Sequence, residues 1–143
     1  MPTAFSPLDV LLRTSTRWRA VELHVELTST NDMLRVRAER GEPDGLVVVA
    51  DHQTEGHGRR HPGVDEPGGA LLVSFLVRLP AWAASSVSFA AGLALDDAVA
   101  DLDVTTRLVW PNRVEVADRA VGGVLVDAGG RDPRWFVIGM GVN

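Results

Sequence analysis

Two short apolar runs, joined by a glycine-rich loop, restrict the possible folds of this sequence more than any other feature does. Residues 45–51 read GLVVVAD and residues 70–79 read ALLVSFLVRL. Continuous apolar runs of this length, rich in β-branched residues and bounded by turn residues, are typical of buried strands. Pro80 ends the second run, because proline cannot donate a hydrogen bond within a sheet. We therefore predict two strands joined by a long loop over residues 53–69.

The sequence before the first run predicts a strand followed by a helix. Every second residue from 21 to 27 is apolar, which is the pattern of a half-buried strand. Residues 28–41 predict a helix. Ser29 or Thr30 would cap its N-terminus, Asp32 would stabilise its first turn, and Gly41 would end it.

The second half of the sequence predicts one long helix and several strands. Residues 85–103 have helical periodicity, and the expected buried face consists of Val87, Ala91, Leu95, Ala98 and Leu102. Strands are predicted at residues 104–110, in a hairpin that turns near Asp118, and at residues 134–143; a short helix is predicted at residues 7–16. Together these elements predict an α+β fold with a mixed or antiparallel sheet flanked by two or three helices.

Composition excludes several kinds of chemistry. The 143 residues suit one compact domain. The absence of cysteine excludes disulfides, thiolate metal ligands and cysteine nucleophiles. All fourteen basic residues are arginines, which biased codon use would explain, and no reaction can use a lysine of this chain. A net charge of −5 argues against general nucleic-acid binding. We find no membrane-spanning stretch or signal peptide, so the expected location is the cytoplasm.

The loop segment QTEGHGRRHP, residues 53–62, is the richest in functional groups. Gly56 and Gly58 let backbone amides approach an anion, and Arg59 and Arg60 suit phosphate or carboxylate. A metal site built on the loop histidines His57 and His61, with His52, Asp51 and Asp65 nearby, is a second interpretation, although Gly58 and Pro62 make a helical pair of ligands unfavourable. A solvated turn is the third.

Three other segments combine structural and functional interpretations. Ser29, Thr30 and Asn31 suit a helix cap, and a helix N-terminus also suits a ligand carboxylate. The segment WPN at residues 110–112 is either a strand end or part of a site. The adjacent glycines 122 and 123 allow close approach of a ligand or of another strand.

The order of these segments resembles the catalytic domain of biotin protein ligases over residues 21–143. The segments that carry the resemblance are ELTSTND, ADHQTEGHGRR, PGGALLVSFLVRL, WPN, DRAVGGVLVD and VIGMGVN. Lipoate ligases and octanoyltransferases share that fold but match these segments less well, and octanoyltransferases use a cysteine. The resemblance implies the fold of class II aminoacyl-tRNA synthetases and biotin–lipoate ligases.

The resemblance also implies a reaction and its site residues. Biotin protein ligases use ATP with magnesium to form biotinyl-5′-AMP and then transfer biotin to a lysine of a carrier protein; no tightly bound cofactor is expected. The implied biotin-binding residues are Ser29, Thr30, Asn31, Gln53, Gly56, His57, Gly58, Arg59 and Gly123. The implied nucleotide-binding residues are Arg60, Trp110, Asn112 and Asn143. No metal ligand is implied, because the loop histidines lie where related loops carry arginine and glycine.

Several positions depart from the family pattern. His57 replaces an arginine of the loop, and His61 and Pro62 replace its closing Gly-Arg. Arg113 replaces the aspartate that usually follows WPN. Ala120 stands at the position of the catalytic lysine, which leaves Arg59 as the implied catalytic residue. Arg119 is adjacent to Ala120 but would point to the opposite face of a strand unless the register shifts.

These departures lead to two expectations about function. One is a biotin protein ligase homologue with impaired catalysis. The alternative is a non-catalytic protein that binds biotin or a carrier protein, or a structural interaction module. Residues 1–143 are expected to form a single ligase-like domain, shorter than the family domain and without a DNA-binding domain or a C-terminal barrel. Exposed sheet edges would allow a homodimer.

Overall fold

The computed structural model describes residues 17–56, 69–130 and 134–143. Its strands and helices occur in the order β1 (Ala20–Leu27), α1 (Thr30–Glu39), β2 (Leu46–Gln53), β3 (Leu71–Val77), a 3₁₀ helix (Ala81–Ser85), α2 (Val87–Ala100), β4 (Thr106–Val109), β5 (Arg113–Val116), β6 (Arg119–Ala128) and β7 (Phe136–Val142). The helix predicted at residues 7–16 lies outside the described residues. Among the described residues, no helix has the length and apolar character that crossing a bilayer requires.

The strands form one seven-stranded sheet in the order β1-β2-β3-β7-β6-β5-β4. β1 and β2 are parallel, with α1 as their crossover, and every other neighbouring pair is antiparallel. The predicted α+β fold with a mixed sheet is therefore confirmed. The two apolar runs that a long loop joins, β2 and β3, are neighbours near one end of the sheet. β7 lies between β3 and β6.

Helix α1 begins and ends as its sequence predicts. The Ser29 hydroxyl accepts a hydrogen bond from the Asp32 amide at 3.3 Å, so Ser29 is the N-cap. After the helix, Gly41 takes a φ of +88°, and its amide and that of Glu42 donate to Ala38 and Arg37 carbonyls. This is the Schellman arrangement, which glycine allows because it lacks a Cβ.

The two helices cover different parts of the sheet. Helix α1 buries Leu34 and Ala38 against Leu46 and Val48 of β2, Leu76 of β3 and Val137 of β7. Helix α2 buries its own apolar side against Val114 of β5 and Val124 of β6. We call the side of the sheet on which α1 packs the α1 face, and the side on which α2 packs the α2 face.

The predicted buried face of α2 is partly wrong. Val87, Ala91 and Leu95 are buried, but the face continues to Val99 rather than to Ala98, which is exposed. The last step is four residues rather than three, because it places Val99, which is larger than Ala98, against the sheet. Leu102 follows the end of the helix and is exposed.

One further difference concerns β1, whereas the predicted hairpin near Asp118 is confirmed. Val25 of β1 is 79% exposed, since β1 is an edge strand and Val25 shares with Val21 and Leu23 the face of the sheet opposite to α1. The β5–β6 hairpin turns through Ala117 and Asp118, both at positive φ, as two-residue type I′ turns require. The sequence offers no Asn-Gly or Asp-Gly pair at this turn, so its geometry could not be read from it.

Candidate functional site

Two glycines and a leucine form the part of the α1 face that lies beyond the start of the helix. The strand register aligns Leu72 of β3 with Gly141 of β7, Gly141 with Gly123 of β6, and Gly123 with Arg113 of β5. Directly opposed residues of neighbouring strands share a face of the sheet. We call Leu72, Gly141 and Gly123 the glycine floor; Arg113 stands at its β5 end.

Helix α1 covers the adjacent row of the same face. That row aligns Ser74 of β3 with Gly139 of β7, and Gly139 with Leu125 of β6. A Cβ at Gly139 would lie 2.8 Å from Asn31 Cγ and closer still to Oδ1, so Asn31 rests directly on the glycine backbone. Gly141 is two residues further along β7 and points the same way. The first turn of α1 therefore forms a wall beside the glycine floor.

Buried polar side chains fasten this first turn to the sheet. Gln53 Oε1, at the end of β2, accepts hydrogen bonds from the Thr30 amide at 2.6 Å and the Thr30 hydroxyl at 2.9 Å. Ser74 Oγ lies 2.7 Å from Thr30 Oγ1 and 2.6 Å from Asn31 Oδ1, and its single proton serves one of them at a time. Gln53 is 9% exposed and the others are more deeply buried. Within the described part of the chain, the Gln53 amide nitrogen has no acceptor, which leaves it available to a ligand.

Asn31 extends the network across the sheet. Its side-chain nitrogen donates to Asp127 Oδ2 at 2.9 Å and to the Leu125 carbonyl at 3.4 Å, both on β6. The side chain thus spans β3, β7 and β6 above Gly139. Three of the four residues expected at the biotin head group, Thr30, Asn31 and Gln53, are brought together in one network, and Ser29 caps the same turn.

The WPN segment connects β4 to β5 beside the glycine floor. Asn112 is held by the backbone of β6: its side-chain nitrogen donates to the Val124 carbonyl at 2.6 Å, and its carbonyl accepts from the Val124 amide at 2.9 Å. Trp110 is 76% exposed, and its ring lies 6.2 Å from that of Phe89 on α2. The Asn143 amide donates to the Val121 carbonyl at 2.7 Å, so Asn143 lies next to the start of β6.

The position expected to carry a lysine holds a different charge arrangement. Ala120 is exposed and opposes Glu115 of β5. Glu115 contacts Arg107 of β4 at 2.6 Å and Arg113 at 2.7 Å. The hydrogen bond from Arg107 holds the pKa of Glu115 below its usual range, and Arg113 adds to the effect, so the carboxylate stays ionised near neutral pH.

The register does shift at this place, between Val114 and Glu115. Arg119 nevertheless opposes Val116, a residue that packs against the α2 cluster. Arg119 therefore lies on the α2 face and not beside the glycine floor, as the alternation of the strand suggested.

The glycine-arginine loop is described only at its start. The amides of Thr54 and Glu55 donate to the carbonyls of Leu27 and Thr28, so Gly56 leaves the sheet next to the N-terminus of α1. The remaining loop residues predicted in the site, His57, Gly58, Arg59 and Arg60, and also His61, lie outside the described residues.

Sequence reasoning missed four residues of this arrangement: Ser74, Asp127, Gly139 and Gly141. Ser74 is the only polar residue of its strand and is fully buried, which is a usable signal. The GMG spacing at residues 139–141 places two glycines on one face of a strand, and such a pair indicates close approach by another group. Asp127 gave no local signal.

Comparisons with known proteins agree on one family. The Biotin/lipoate A/B protein ligase family matches residues 24–143. A biotin–[acetyl-CoA-carboxylase] ligase of Mycobacterium tuberculosis is 35% identical over an alignment of 144 positions, which covers 94% of this chain and 53% of that protein. The bifunctional ligase/repressor BirA of Escherichia coli is 35% identical over an alignment of 125 positions, which covers 82% of this chain and 38% of that protein. The chain thus spans about half, or less, of the length of these relatives.

Solved structures show the same fold. A Helicobacter pylori biotin acetyl coenzyme A carboxylase synthetase with bound biotinylated ATP superimposes with a TM-score of 0.74 at 25% identity, covering 86% of this chain and 60% of that one. An Aquifex aeolicus biotin protein ligase in complex with biotin and ATP gives a TM-score of 0.72 at 27% identity, covering 88% and 53%.

Proposed function

Because this chain belongs to the biotin/lipoate A/B protein ligase family, we propose that it binds biotin on the glycine floor, with the ring system against the first turn of α1. The observation that carries the proposal is the juxtaposition of the Gln53–Thr30–Ser74–Asn31 network with Gly141 and Gly123. A ligand can lie flat on a sheet only where side chains are missing, and glycine provides that at two opposed positions.

The polar groups suit a cyclic urea with a carboxylate tail. A ureido carbonyl needs donors, which the Gln53 amide nitrogen can supply, and its N–H groups need acceptors, which Thr30 and the other oxygens of the network can supply. Such a site discriminates strongly, because a ligand without these groups leaves buried polar atoms unpaired. The apolar part of the ligand would cover Leu72 and the glycine backbone.

The same placement directs the tail of the ligand toward Arg113 and Ala120. In the family reaction a biotin carboxylate oxygen forms a bond to the α-phosphorus of ATP while the bond to pyrophosphate breaks, and biotinyl-5′-AMP results. Two anions meet in this step, so the site must supply positive charge. Ala120 supplies none. Loss of one fixed donor of this kind costs about 10²–10³ in rate, and we therefore propose that adenylation is impaired in this chain.

We also propose the wider setting of this activity. The described segments share one sheet, which supports a single ligase-type domain over residues 1–143. The natural acceptor of biotin would be a carrier-protein lysine, and ATP would be the second substrate. A cytoplasmic location fits substrates of this kind.

Two measurements test the proposal. Isothermal titration with biotin should show binding, and the absence of heat at concentrations well above micromolar would contradict the biotin site. Biotin-dependent exchange of pyrophosphate into ATP should lie close to a protein-free blank. Exchange at a rate typical of an intact ligase would refute the impairment.

A substitution sharpens the second measurement. Ala120→Lys should raise the exchange rate by up to about 10²–10³. Ala128→Lys is the matched control, because it adds the same charge to an exposed position at the other end of β6. Equal rates for the two variants, both above the blank, would show that Ala120 is not the missing catalytic position.

The alternative is a protein that binds biotin, or a carrier protein, without catalysis. The departure at Ala120 favours it, and the buried polar network is compatible with it. Binding of biotin with no exchange even in Ala120→Lys would support this alternative over an impaired ligase.

A further inference from the structure

We propose that Arg113 binds the phosphate of a biotinyl-adenylate held on the glycine floor and replaces, from strand β5, part of the positive charge that Ala120 lacks. This inference rests on the proposed function, since it assumes a ligand on the glycine floor. It concerns a position at which the resemblance leads us to expect an aspartate rather than a cation.

The strand register places Arg113 at the edge of the site. Arg113 directly opposes Gly123, one of the two glycines of the floor. Its neighbour Val114 packs against α2, so the Arg113 side chain leaves the sheet on the opposite, α1 face. No side chain of Gly123 separates the arginine from a ligand lying on the floor.

The charge pairing brings the guanidinium toward Ala120. Arg113 Nη2 lies 2.7 Å from Glu115 Oε1, and Glu115 is the residue that opposes Ala120. The cation of β5 therefore stands beside the position where the resemblance expects a lysine of β6. An arginine side chain is long enough to serve a neighbouring position two residues away, and its planar guanidinium suits phosphate oxygens.

Arg113 has binding capacity to spare, whereas its neighbour Arg107 has less. Arg107 contacts two carboxylates, those of Glu115 at 2.6 Å and Asp118 at 2.9 Å. Among the described residues Arg113 contacts only Glu115, through one nitrogen, and its side chain is 53% exposed. Its other N–H groups can donate to a ligand. Because Glu115 is also paired with Arg107, it neutralises Arg113 only in part.

Arg119 offers a matched control. It carries the same charge, is exposed, and lies on the same hairpin, but it opposes Val116 and so lies on the α2 face. A general effect of net charge would appear in Arg119→Ala as much as in Arg113→Ala. A phosphate contact would appear only in the second.

The test compares two ligands that differ by the adenylate. Biotin and biotinol-5′-AMP, a phosphodiester analogue without the reactive acyl bond, are titrated into the complete chain. Arg113→Ala should weaken the analogue about 10- to 100-fold, as loss of a charge-assisted hydrogen bond does, and should change biotin affinity less than about twofold. Arg119→Ala should change neither. Arg113→Ala combined with Ala120→Lys should regain most of the lost affinity, because the cation returns from β6.

Each outcome has a distinct meaning. If Arg113→Ala leaves the affinity for the analogue unchanged, or weakens both ligands equally, Arg113 does not bind phosphate. Failure of Ala120→Lys to rescue would also contradict the assigned location of the charge. If the unmodified chain binds neither ligand, the proposed biotin site fails and this inference falls with it. Unchanged thermal unfolding of each variant confirms that the fold is intact.

Discussion

Gly139→Ala should destabilise the fold far more than an alanine substitution in a strand normally does. A Cβ at this position would lie 2.8 Å from Asn31 Cγ and 3.0 Å from Nδ2, well inside van der Waals contact. Asn31 must then leave the sheet and lose its bonds to Ser74 and Asp127, at 2.6 and 2.9 Å. A buried polar group left without its partner costs about 1–3 kcal/mol. We therefore expect a loss of about 2–4 kcal/mol in the free energy of unfolding.

Gly141→Ala is the control, because it lies two residues away on the same face of the same strand. The nearest atom to its added Cβ is Leu72 Cδ2 at 3.9 Å, an ordinary contact. Replacing glycine by alanine inside a strand should stabilise by up to about 1 kcal/mol when space allows. The two variants should therefore differ in urea midpoint, with Gly139→Ala much lower.

A double-mutant cycle identifies Asn31 as the cause. Asn31→Ala removes the side chain that the new methyl group would meet, so Gly139→Ala should cost less than about 0.5 kcal/mol in that background. The coupling between the two positions should be about 2 kcal/mol, within the range measured for contacting residues. Equal midpoints for Gly139→Ala and Gly141→Ala, or a penalty that persists in Asn31→Ala, would refute the reasoning.

Three further predictions follow from separate features. Gly141→Ala, which should not lower stability, should weaken biotin binding about tenfold or more, since its methyl group occupies the floor; calorimetry measures this, and unchanged affinity would remove Gly141 from the site. Burial opposes ionisation of Glu42, but hydrogen bonds from Arg37 and Arg19 outweigh it and lower its pKa. Its contribution to stability should be complete above the ordinary glutamate pKa of about 4.3 and be lost as pH falls through the lowered folded value. Urea unfolding across pH 3–7 should show a smaller acid loss in Glu42→Gln than in the unmodified chain, and identical profiles would contradict the pairing. Ala117→Gly should stabilise the β5–β6 hairpin by about 0.5–1 kcal/mol, because Ala117 has a φ of +50°; a lower thermal midpoint would contradict this.

Local patterns in the sequence were enough to predict most elements of the fold. β2 and β3 are marked by apolar runs, and α1 by its cap at Ser29 and its stop at Gly41. The buried face predicted for α2 was wrong beyond Leu95. The helix carries small and apolar residues on several of its sides, so alanine gives little contrast between a buried and an exposed face. The β5–β6 hairpin and its turn near Asp118 were predicted correctly. The type of turn was not, since Ala117 rarely takes positive φ.

The residues of the candidate site could be predicted only where a short segment of the sequence carries a local signature for them. Thr30 and Asn31 stand at a helix start, and Gln53 follows a strand, so each has a local signature. Ser74 and Asp127 join them only through strand order, which places β3 and β6 on either side of β7. No local pattern reports which strands will be neighbours, and the network therefore emerged only from the three-dimensional arrangement.

The fastening of the first turn of α1 has a consequence for the thermodynamics of ligand recognition. Gln53, Thr30, Ser74 and Asn31 hold one another through hydrogen bonds within the protein itself. A ligand that meets this wall need not order these side chains, so little conformational entropy is lost at that end of the site. Most of the conformational entropy lost on binding would then come from groups outside this network. The rigid wall would select the ring system, while the remaining contacts would govern how long the ligand stays.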